Sequence, residues 1–339
     1  MDRMQHPPPA GNQENTEVSD DIRLTRAASW AAARLGQRAV ELCPIKQDAS
    51  FRRYFRVHTG AGTLILMDAP PEFENSAPFL DVAARLRQAG LHAPEVFHFD
   101  LEQGFGLLED LGDRLYRDLV TPHTADELFP DLFLVLTRMA QKVNCRGLPQ
   151  YDHNRLQTEL RLFTDWYLLR HRQYTLDARQ ERAWRRLCAE LQRSAAAQPQ
   201  VFVHRDFHSS NLLYRRGGEP GIIDFQDAVR GPISYDFVSL LWDRHVAWPR
   251  WQLECWMEAY RVMLGLDIEP AAWVRWCDLV GVQRNLKIVG IFARLYHRDG
   301  KESYLQMIPA FYRYLLDVLP RYAEFGCFLE ILEQPQCAP

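Results

Sequence analysis

The pattern of apolar and polar positions divides the chain into a strand-rich first third and a helix-rich remainder. Helical periodicity covers residues 21–36 and 79–89, and a Gly-Ala-Gly sequence at residues 60–62 predicts a hairpin turn. Short apolar or alternating segments, which favour strands, lie at residues 39–45, 53–57, 63–67, 95–99 and 105–108. We therefore predict a small lobe of antiparallel strands with one or two helices.

Helical patterns dominate from residue 113 to about residue 332, interrupted by short apolar strands at residues 201–203 and 221–223. The clearest helices are predicted over residues 125–143, 154–167 and 176–197.

These patterns predict an α+β fold with two lobes of unequal size. Residues 1–20 are polar and include three consecutive prolines, so we expect a flexible leader. Residues 21–110 form the predicted N-terminal lobe, and residues 111–339 form the larger, mainly helical C-terminal lobe.

The charge balance and cysteine content argue against several classes of protein. Lys plus Arg number 40 and Asp plus Glu 44, so the net charge of −4 leaves no broad basic face for nucleic acid. No apolar segment approaches the roughly 20 residues that span a membrane, and the N-terminus lacks a secretory signal. Seven cysteines without C-x-x-C spacing suit reduced thiols. We therefore expect a cytoplasmic protein without nucleic-acid or membrane partners.

The residues most informative about chemistry lie between residues 201 and 236. An apolar strand is followed directly by a His-Arg-Asp sequence that ends at Asp206, and Asn211 stands five positions later. After a predicted hairpin turn, a second apolar strand ends at Asp224. Each residue alone is equally well explained as a cap or turn residue, but their joint arrangement is specific.

Phosphoryl transfer to a hydroxyl group accounts for this arrangement. Asp206 can accept the proton of the attacking hydroxyl as the catalytic base. Mg²⁺ prefers oxygen ligands, and Asn211 and Asp224, predicted on facing hairpin strands, supply an amide and a carboxylate oxygen. The pattern therefore predicts a phosphotransferase.

This segment resembles the catalytic core of the protein-kinase-like superfamily, and more closely its aminoglycoside and choline phosphotransferase branch. Asp224 is followed after one residue by Gln226, and only a short segment leads to Asp236, which leaves no room for a long activation loop. The resemblance implies a two-lobed kinase fold with ATP and Mg²⁺ as cofactors. It also implies that Asp236 braces the catalytic loop, that His204 packs beneath it, and that residues 108–111 contact adenine, with Glu109 and Leu111 as the candidates.

A narrower resemblance, to the bacterial anomeric sugar kinases, covers residues 48 to 301. It is carried by residues 48–57, 66–72, 108–112 and 283–295. It implies transfer of the ATP γ-phosphate to the C1 hydroxyl of N-acetylmuramate and N-acetylglucosamine in cell-wall recycling.

The sequence departs from the kinase pattern at the phosphate site. The glycine-rich loop is replaced by residues 47–52, and the strand lysine that pairs with phosphate is missing. Ser50, Arg52 and Arg53 are the candidates to contact phosphate, because a hydroxyl and guanidinium groups suit its oxygens. The alternative is that both arginines are solvated charges beside a turn.

Candidates for sugar contact are His208 and Ser209 in the catalytic loop, and Arg284 and Lys287, whose spacing of three places them on one helix face. A cationic pair would favour the lactyl carboxylate of N-acetylmuramate, although most charge runs are solvated faces. Two other functions stay open. One is a kinase of another small-molecule hydroxyl, of the aminoglycoside, choline or homoserine type, and the other is a non-catalytic nucleotide-binding module.

Overall fold

The computed structural model describes residues 13–45 and 51–333, and the side chains of residues 22–45 and 51–333. The strands are β1 (Leu42–Pro44), β2 (Arg53–Thr59), β3 (Gly62–Asp68), β4 (Val96–Asp100), β5 (Phe105–Glu109), β6 (Gln200–Val203), β7 (Leu212–Leu213), β8 (Gly221–Ile222) and β9 (Val229–Pro232). The helices are α1 (Gln13–Leu35), α2 (Ala77–Gln88), α3 (Ala125–Lys142), α4 (His153–Leu162), α5 (Ala178–Ala196), α6 (Tyr235–Leu241), α7 (Arg250–Leu264), α8 (Pro270–Asp299), α9 (Ile308–Val318) and α10 (Gly326–Leu332).

The chain forms two compact units. The smaller unit lies within Met1–Asp113 and Arg215–Gln226, and the larger lies within Arg114–Tyr214 and Asp227–Pro339. The first contains an antiparallel sheet and the second is mainly helical, so the predicted α+β class is confirmed. The sequence prediction placed residues 215–226 in the C-terminal lobe, whereas in the structure they belong to the smaller unit.

The sheet of the smaller unit has five antiparallel strands in the order β1-β2-β3-β5-β4. All five were predicted within a few residues, because strand alternation and the turn at residues 60–62 are both visible in the sequence. Helix α1 packs on the sheet through a core of small and large apolar side chains: Ala27, Ala31, Phe55, Val57, Leu66, Phe105 and Leu107.

Helix α1 begins at Gln13, eight positions before the predicted start at residue 21. Residues 13–20 are polar but contain no proline or glycine, so they have no residue that stops a helix. The leader predicted over residues 1–20 therefore overlaps this helix, and its first 12 residues lie outside the described part of the chain.

Helix α8, with 30 residues, is the longest helix described and contacts helices α4, α5, α6, α7 and α9. Two of its glycines permit close contacts. A Cβ atom at Gly281 would lie 1.4 Å from the Trp242 ring, and one at Gly290 would lie 2.3 Å from the backbone carbon of Leu162. Larger residues would therefore push neighbouring elements away from α8.

Two helix and strand predictions in the larger unit need correction. The single helix predicted over residues 154–167 is α4 followed by a π-helix, Phe163–His171, which begins where the backbone of α8 approaches at Gly290. Strand β9 was missed because its Gly231 and Pro232 read as turn residues, yet it pairs antiparallel with β6.

Two general features of the described residues bear on the sequence predictions. None of the helices in the described ranges is long and apolar enough to cross a membrane. Six cysteines lie in those ranges, and all are free thiols, as the sequence predicted.

Candidate active site

The loop between β6 and β7 is held by a buried carboxylate from α6. Asp236, which is 4% exposed, accepts hydrogen bonds from the backbone N–H groups of His204 at 2.6 Å and Arg205 at 2.9 Å. Burial raises the pKa of Asp236 to about 6, although these hydrogen bonds and His204 act against the rise. The predicted bracing role of Asp236 is confirmed.

His204 packs beneath the loop, as predicted. Its side chain is fully buried, and its ring lies edge-on to Phe207. Its Nδ1 accepts a hydrogen bond from the backbone N–H of Asp206 at 3.3 Å. The imidazole therefore supports the loop from inside.

Arg205 adopts a left-handed backbone conformation, with φ of 79°. For a residue other than glycine this conformation costs about 1–2 kcal/mol. Two contacts hold Arg205 in place: its backbone N–H donates to Asp236, and its guanidinium donates to Glu159 Oε1 at 2.7 Å. The turn that leads into Asp206 is therefore strained and supported from two helices.

Asp206 lies half-buried among cationic side chains. Burial alone would raise the pKa of its carboxyl, but Lys287, His208, Arg205 and Arg284 together hold that pKa below its usual value. The carboxylate is therefore ionised at neutral pH and can accept a proton.

Asn211 ends a 3₁₀ turn, Ser209–Asn211, and does not begin a strand as the sequence predicted. Its Nδ2 donates to the backbone oxygen of Asp206 at 3.0 Å. This bond ties Asn211 to the proposed base and directs the amide nitrogen, rather than the oxygen, toward the loop backbone.

A second carboxylate just beyond α6 also holds the loop, and the sequence analysis missed it. Asp243 Oδ2 accepts the backbone N–H of Ser209 at 3.2 Å and also the Ser209 hydroxyl. Burial would raise the pKa of Asp243, but His208, Ser209 and His245 hold it below its usual value. No spacing motif in the sequence points to this residue, because the contact depends on how α6 lies against the loop.

The two candidate sugar contacts in the loop differ in their surroundings. Burial lowers the pKa of His208 to about 4, against the opposing effect of Asp243 and Asp206, so the imidazole is neutral at pH 7. Its Nδ1 is buried and has no hydrogen-bond partner among the described residues. Ser209, in contrast, is buried and donates its hydroxyl to Asp243.

Arg284 and Lys287 are buried on α8, at 4% and 7% exposure, so they are not part of a solvated charged face. Arg284 Nη1 donates to the backbone oxygen of Trp242 at 3.5 Å. Lys287 Nζ lies 3.3 Å from the Tyr235 hydroxyl and 3.4 Å from Glu159 Oε1. Both cations lower the pKa of Asp206, so the predicted pair acts electrostatically on the proposed base.

Glu159 of α4 is the centre of the buried network in this region and was also missed. Its carboxylate accepts hydrogen bonds from Arg205, from the Tyr151 hydroxyl and from Gln283 Nε2, the last at 3.1 Å. Burial would raise its pKa, but Lys287 and Arg205 hold that pKa below its usual value. The sequence did offer one signal that Glu159 is buried, because it stands three residues after Leu156 and so lies on the apolar face of α4.

In the smaller unit, Asp224 also has a left-handed backbone, with φ of 64°, and accepts a hydrogen bond from Gln226 Nε2 at 2.8 Å. Burial raises the pKa of Tyr54 to about 12, with Arg52 acting against the rise and Asp224 adding to it. Arg52 and Asp224 therefore both act on Tyr54.

The candidates for phosphate contact have distinct environments. Arg52 is buried and pairs with Glu74 at 3.0 Å. Arg53 donates from Nε and Nη2 to the fully buried carboxylate of Asp68, at 3.0 and 2.6 Å. Ser50 lies outside the described residues. Both arginines thus hold a carboxylate, and neither is the solvated charge that the alternative interpretation assumed.

At the end of β5, the backbone N–H of Glu109 donates to Glu95 at 2.8 Å, and its side chain lies 2.9 Å from His92 Nε2. Leu111 is buried. Arg56 of β2 forms a bidentate pair with Asp110, at 2.6 and 3.1 Å, between these two residues. The segment predicted to contact adenine is therefore tied to the sheet.

The proposed magnesium ligands fit a hard cation by their chemistry, since an amide oxygen and a carboxylate are oxygen donors. Within the described ranges, no group of three or more His, Cys, Asp or Glu side chains could hold a metal ion alone. Two protein ligands still suit Mg²⁺, which commonly binds to one or two protein groups plus substrate phosphates.

Comparison with known proteins places the chain among phosphotransferases. Residues 41–276 match the model of the phosphotransferase enzyme family. The chain is 43% identical to the N-acetylmuramate/N-acetylglucosamine kinase of Pseudomonas aeruginosa over 336 residues, which cover 94% of this chain and 99% of that one.

Two solved structures share the fold. One is an ADP-bound aminoglycoside phosphotransferase, with a TM-score of 0.59 and 16% identity, covering 84% of this chain and 96% of the other. The second is a choline/ethanolamine kinase family protein from Mesorhizobium loti, with a TM-score of 0.61 and 17% identity, covering 94% and 99%. The predicted kinase-like fold is confirmed, and by its family match and its sequence identity the chain belongs to the phosphotransferase enzyme family.

Proposed function

We propose that this protein transfers the γ-phosphate of ATP to the anomeric C1 hydroxyl of N-acetylmuramate and N-acetylglucosamine, yielding the α-1-phosphates for cell-wall recycling. The observation that carries the proposal is the 43% sequence identity to an N-acetylmuramate/N-acetylglucosamine kinase, which extends over 94% of this chain. The cytoplasmic location predicted from the sequence belongs to the same proposal.

Asp206 is the proposed catalytic base. The C1 hydroxyl oxygen attacks the γ-phosphorus, the bond from that phosphorus to the β–γ bridging oxygen breaks, and ADP leaves. Asp206 accepts the proton released by the hydroxyl. Its lowered pKa and the bond from Asn211 to its backbone support this role, because the carboxylate is ionised and its loop is held in place.

The nucleotide is proposed to contact Glu109 and Leu111 through its adenine, and Ser50 together with one of Arg52 and Arg53 through its phosphates. Of the two arginines, Arg52 is favoured because it and the proposed metal ligand Asp224 both act on Tyr54. Arg53, in contrast, donates its hydrogen bonds to Asp68. Asn211 and Asp224 would hold Mg²⁺, which supplies neutralisation of phosphate charge when bound.

The sugar is proposed to contact His208 and Arg284. The neutral imidazole of His208 has a buried nitrogen without a partner, which suits a hydroxyl or an N-acetyl group. Arg284 supplies positive charge for the lactyl carboxylate of N-acetylmuramate. Ser209 and Lys287 are engaged with Asp243 and Glu159, so a sugar contact by either requires it to exchange partners.

The alternatives differ in what they require near Asp206. Aminoglycosides and choline are cationic, and the buried cations Arg205, Arg284 and Lys287 around the base disfavour them. A nucleotide-binding module without catalysis would not need an ionised carboxylate held in a strained, braced loop.

Phosphorus NMR of the products tests the proposal directly. With ATP and Mg²⁺, we expect C1-phosphate signals from N-acetylmuramate and N-acetylglucosamine, and none from kanamycin, choline or homoserine. Asp206→Asn should lower turnover by roughly 100-fold or more, since it removes the base. Phosphate on another hydroxyl, or unchanged turnover in Asp206→Asn, would contradict the assignment of product or base.

A further inference from the structure

The buried network around Glu159 connects the catalytic loop to two helices that are distant in sequence. Glu159 lies on α4, Lys287 on α8, and Arg205 in the loop itself. The Glu159 side chain is 5% exposed, and its two oxygens receive hydrogen bonds or ion pairs from four side chains: Tyr151, Arg205, Gln283 and Lys287. A carboxylate with this many partners is expensive to remove, because both cations would remain buried without it.

We propose that Glu159 is a positioning residue for phosphoryl transfer. Its carboxylate holds Arg205 in the left-handed conformation that leads into Asp206, and its Oε1 atom also holds Lys287 next to Arg205. This inference rests on the proposed role of Asp206 as the base.

The position of Arg205 carries the first half of the inference. Its strained backbone persists only if the surroundings hold it, and the contacts that do so are Asp236 on the backbone and Glu159 on the side chain. Asp236 also holds His204, so its bonds restrain the loop as a whole. Glu159 acts on Arg205 alone within the loop, one residue before the base.

Lys287 carries the second half. An ammonium group at 7% exposure needs partners, and it has Glu159 at 3.4 Å and the Tyr235 hydroxyl at 3.3 Å. Among the charges that act on Asp206, Lys287 has the largest effect. Lys287 and Arg205 share Glu159 Oε1, so Glu159 is the α4 residue that fixes this cation next to the residue preceding the base.

The experiment compares Glu159→Gln with a matched control, Asp278→Asn. Asp278 is also a fully buried carboxylate in the larger unit, paired with Arg250 at 2.6 Å and with the Tyr322 hydroxyl at 2.6 Å. Both variants should be less stable than the wild type. We expect kcat per folded enzyme to fall roughly 100-fold in Glu159→Gln, with KM for ATP nearly unchanged, and to stay within about twofold in Asp278→Asn.

Two further variants separate positioning from folding. The double variant Glu159→Gln/Lys287→Met removes one of the two cations left without a carboxylate, so it should regain part of the lost stability without regaining kcat. Arg205→Gly should lose less turnover than Arg205→Ala, because glycine adopts the positive φ without strain. Recovery of kcat in the double variant, or equal losses in the two Arg205 variants, would overturn the inference.

A readout without sugar keeps this test independent of the proposed substrate. Amide hydrogen exchange of residues 204–206 should accelerate about tenfold or more in Glu159→Gln and remain as in the wild type in Asp278→Asn. If neither sugar is phosphorylated but exchange accelerates, the substrate assignment fails and the loop-holding role stands. If exchange is unchanged in Glu159→Gln, the loop-holding role fails whatever the substrate.

Discussion

At the scale of single residues, the chemistry depends on side chains whose neighbours could not be read from the sequence. Asp206, Asn211 and Asp224 were singled out because their spacing is specific, and that reasoning needs no tertiary structure. Glu159 and Asp243 were missed because each acts through a contact with a residue far along the chain. A spacing rule detects residues in one loop, but not a carboxylate delivered by another helix.

Arg52 and Arg53 are adjacent in sequence, but we expect their substitution to affect different properties: ATP binding for Arg52 and stability for Arg53. Arg52→Met should raise KM for ATP about tenfold or more, since a charge-assisted contact with phosphate is lost. Arg53→Met should leave KM for ATP nearly unchanged but lower the free energy of unfolding by about 2 kcal/mol, because Asp68 would lose two hydrogen bonds and keep Arg23 as its ion-pair partner among the described side chains.

Steady-state kinetics with varied ATP and urea unfolding of both variants check this pair. An increase in KM for ATP confined to Arg53→Met would show that the wrong arginine has been assigned to phosphate.

At the scale of elements, α6 supports the catalytic loop at two points on either side of Asp206. Asp236 in its first turn binds the backbone of residues 204 and 205, and Asp243 just after its end binds Ser209. The sequence predicted α6 only as resumed helical periodicity, since a helix of seven residues has little room for a pattern. Long elements such as α3 and α5 were predicted to within two residues at each end.

A double-mutant cycle tests the second of these supports. Asp243→Ala should lower kcat about tenfold, and Ser209→Ala a few-fold, because the loop loses one or two restraints. The double variant should resemble Asp243→Ala alone, since both changes remove the same hydrogen bond. As a control, Ser209→Ala and Asp278→Asn should combine additively; additive losses for Ser209→Ala and Asp243→Ala would show that the two residues act separately.

At the scale of the whole molecule, the sequence indicated the strand-rich and helix-rich portions and a boundary between residues 110 and 111, whereas the first segment of the smaller unit ends at Asp113. It did not indicate that residues 215–226 rejoin the smaller unit, because a turn followed by a short strand does not specify which unit that strand joins. Ile222 donates its backbone N–H to His92 at 2.8 Å, and Phe225 stacks on Phe79 with ring centroids 5.1 Å apart. Contacts of this kind join segments that are distant in the chain, so no local sequence pattern predicts them.

The contribution of His208 to stability should be lost as the solution is acidified below pH 6.5. Burial lowers the pKa of His208 to about 4 in the folded protein, so the unfolded chain takes up this proton first, and stability is lost as pH falls through that window. Such a group contributes about 1.4 kcal/mol per pH unit within the window. Asp236 acts in the opposite direction, because burial raises its pKa to about 6.

Urea unfolding at pH 7, 5.5 and 4.5, followed by tryptophan fluorescence, measures this dependence. Between pH 6.5 and 4.5, the unfolding free energy of His208→Gln should decline less steeply than that of the wild type. The difference in slope should correspond to the uptake of about one proton. Identical slopes would mean that the imidazole is protonated as readily in the folded protein as in the unfolded chain.

The discontinuity of the smaller unit has a consequence for how the chain emerges from the ribosome. Its sheet is complete once residue 109 has been synthesised, but Ile222 and Phe225 appear more than 100 residues later. Until then Phe79 lacks its stacking partner, and the carbonyl of His92 lacks its N–H donor. The small unit therefore lacks these contacts while α3, α4 and α5 are being synthesised. It can form them only when the segment that contains Asp224 has also been synthesised.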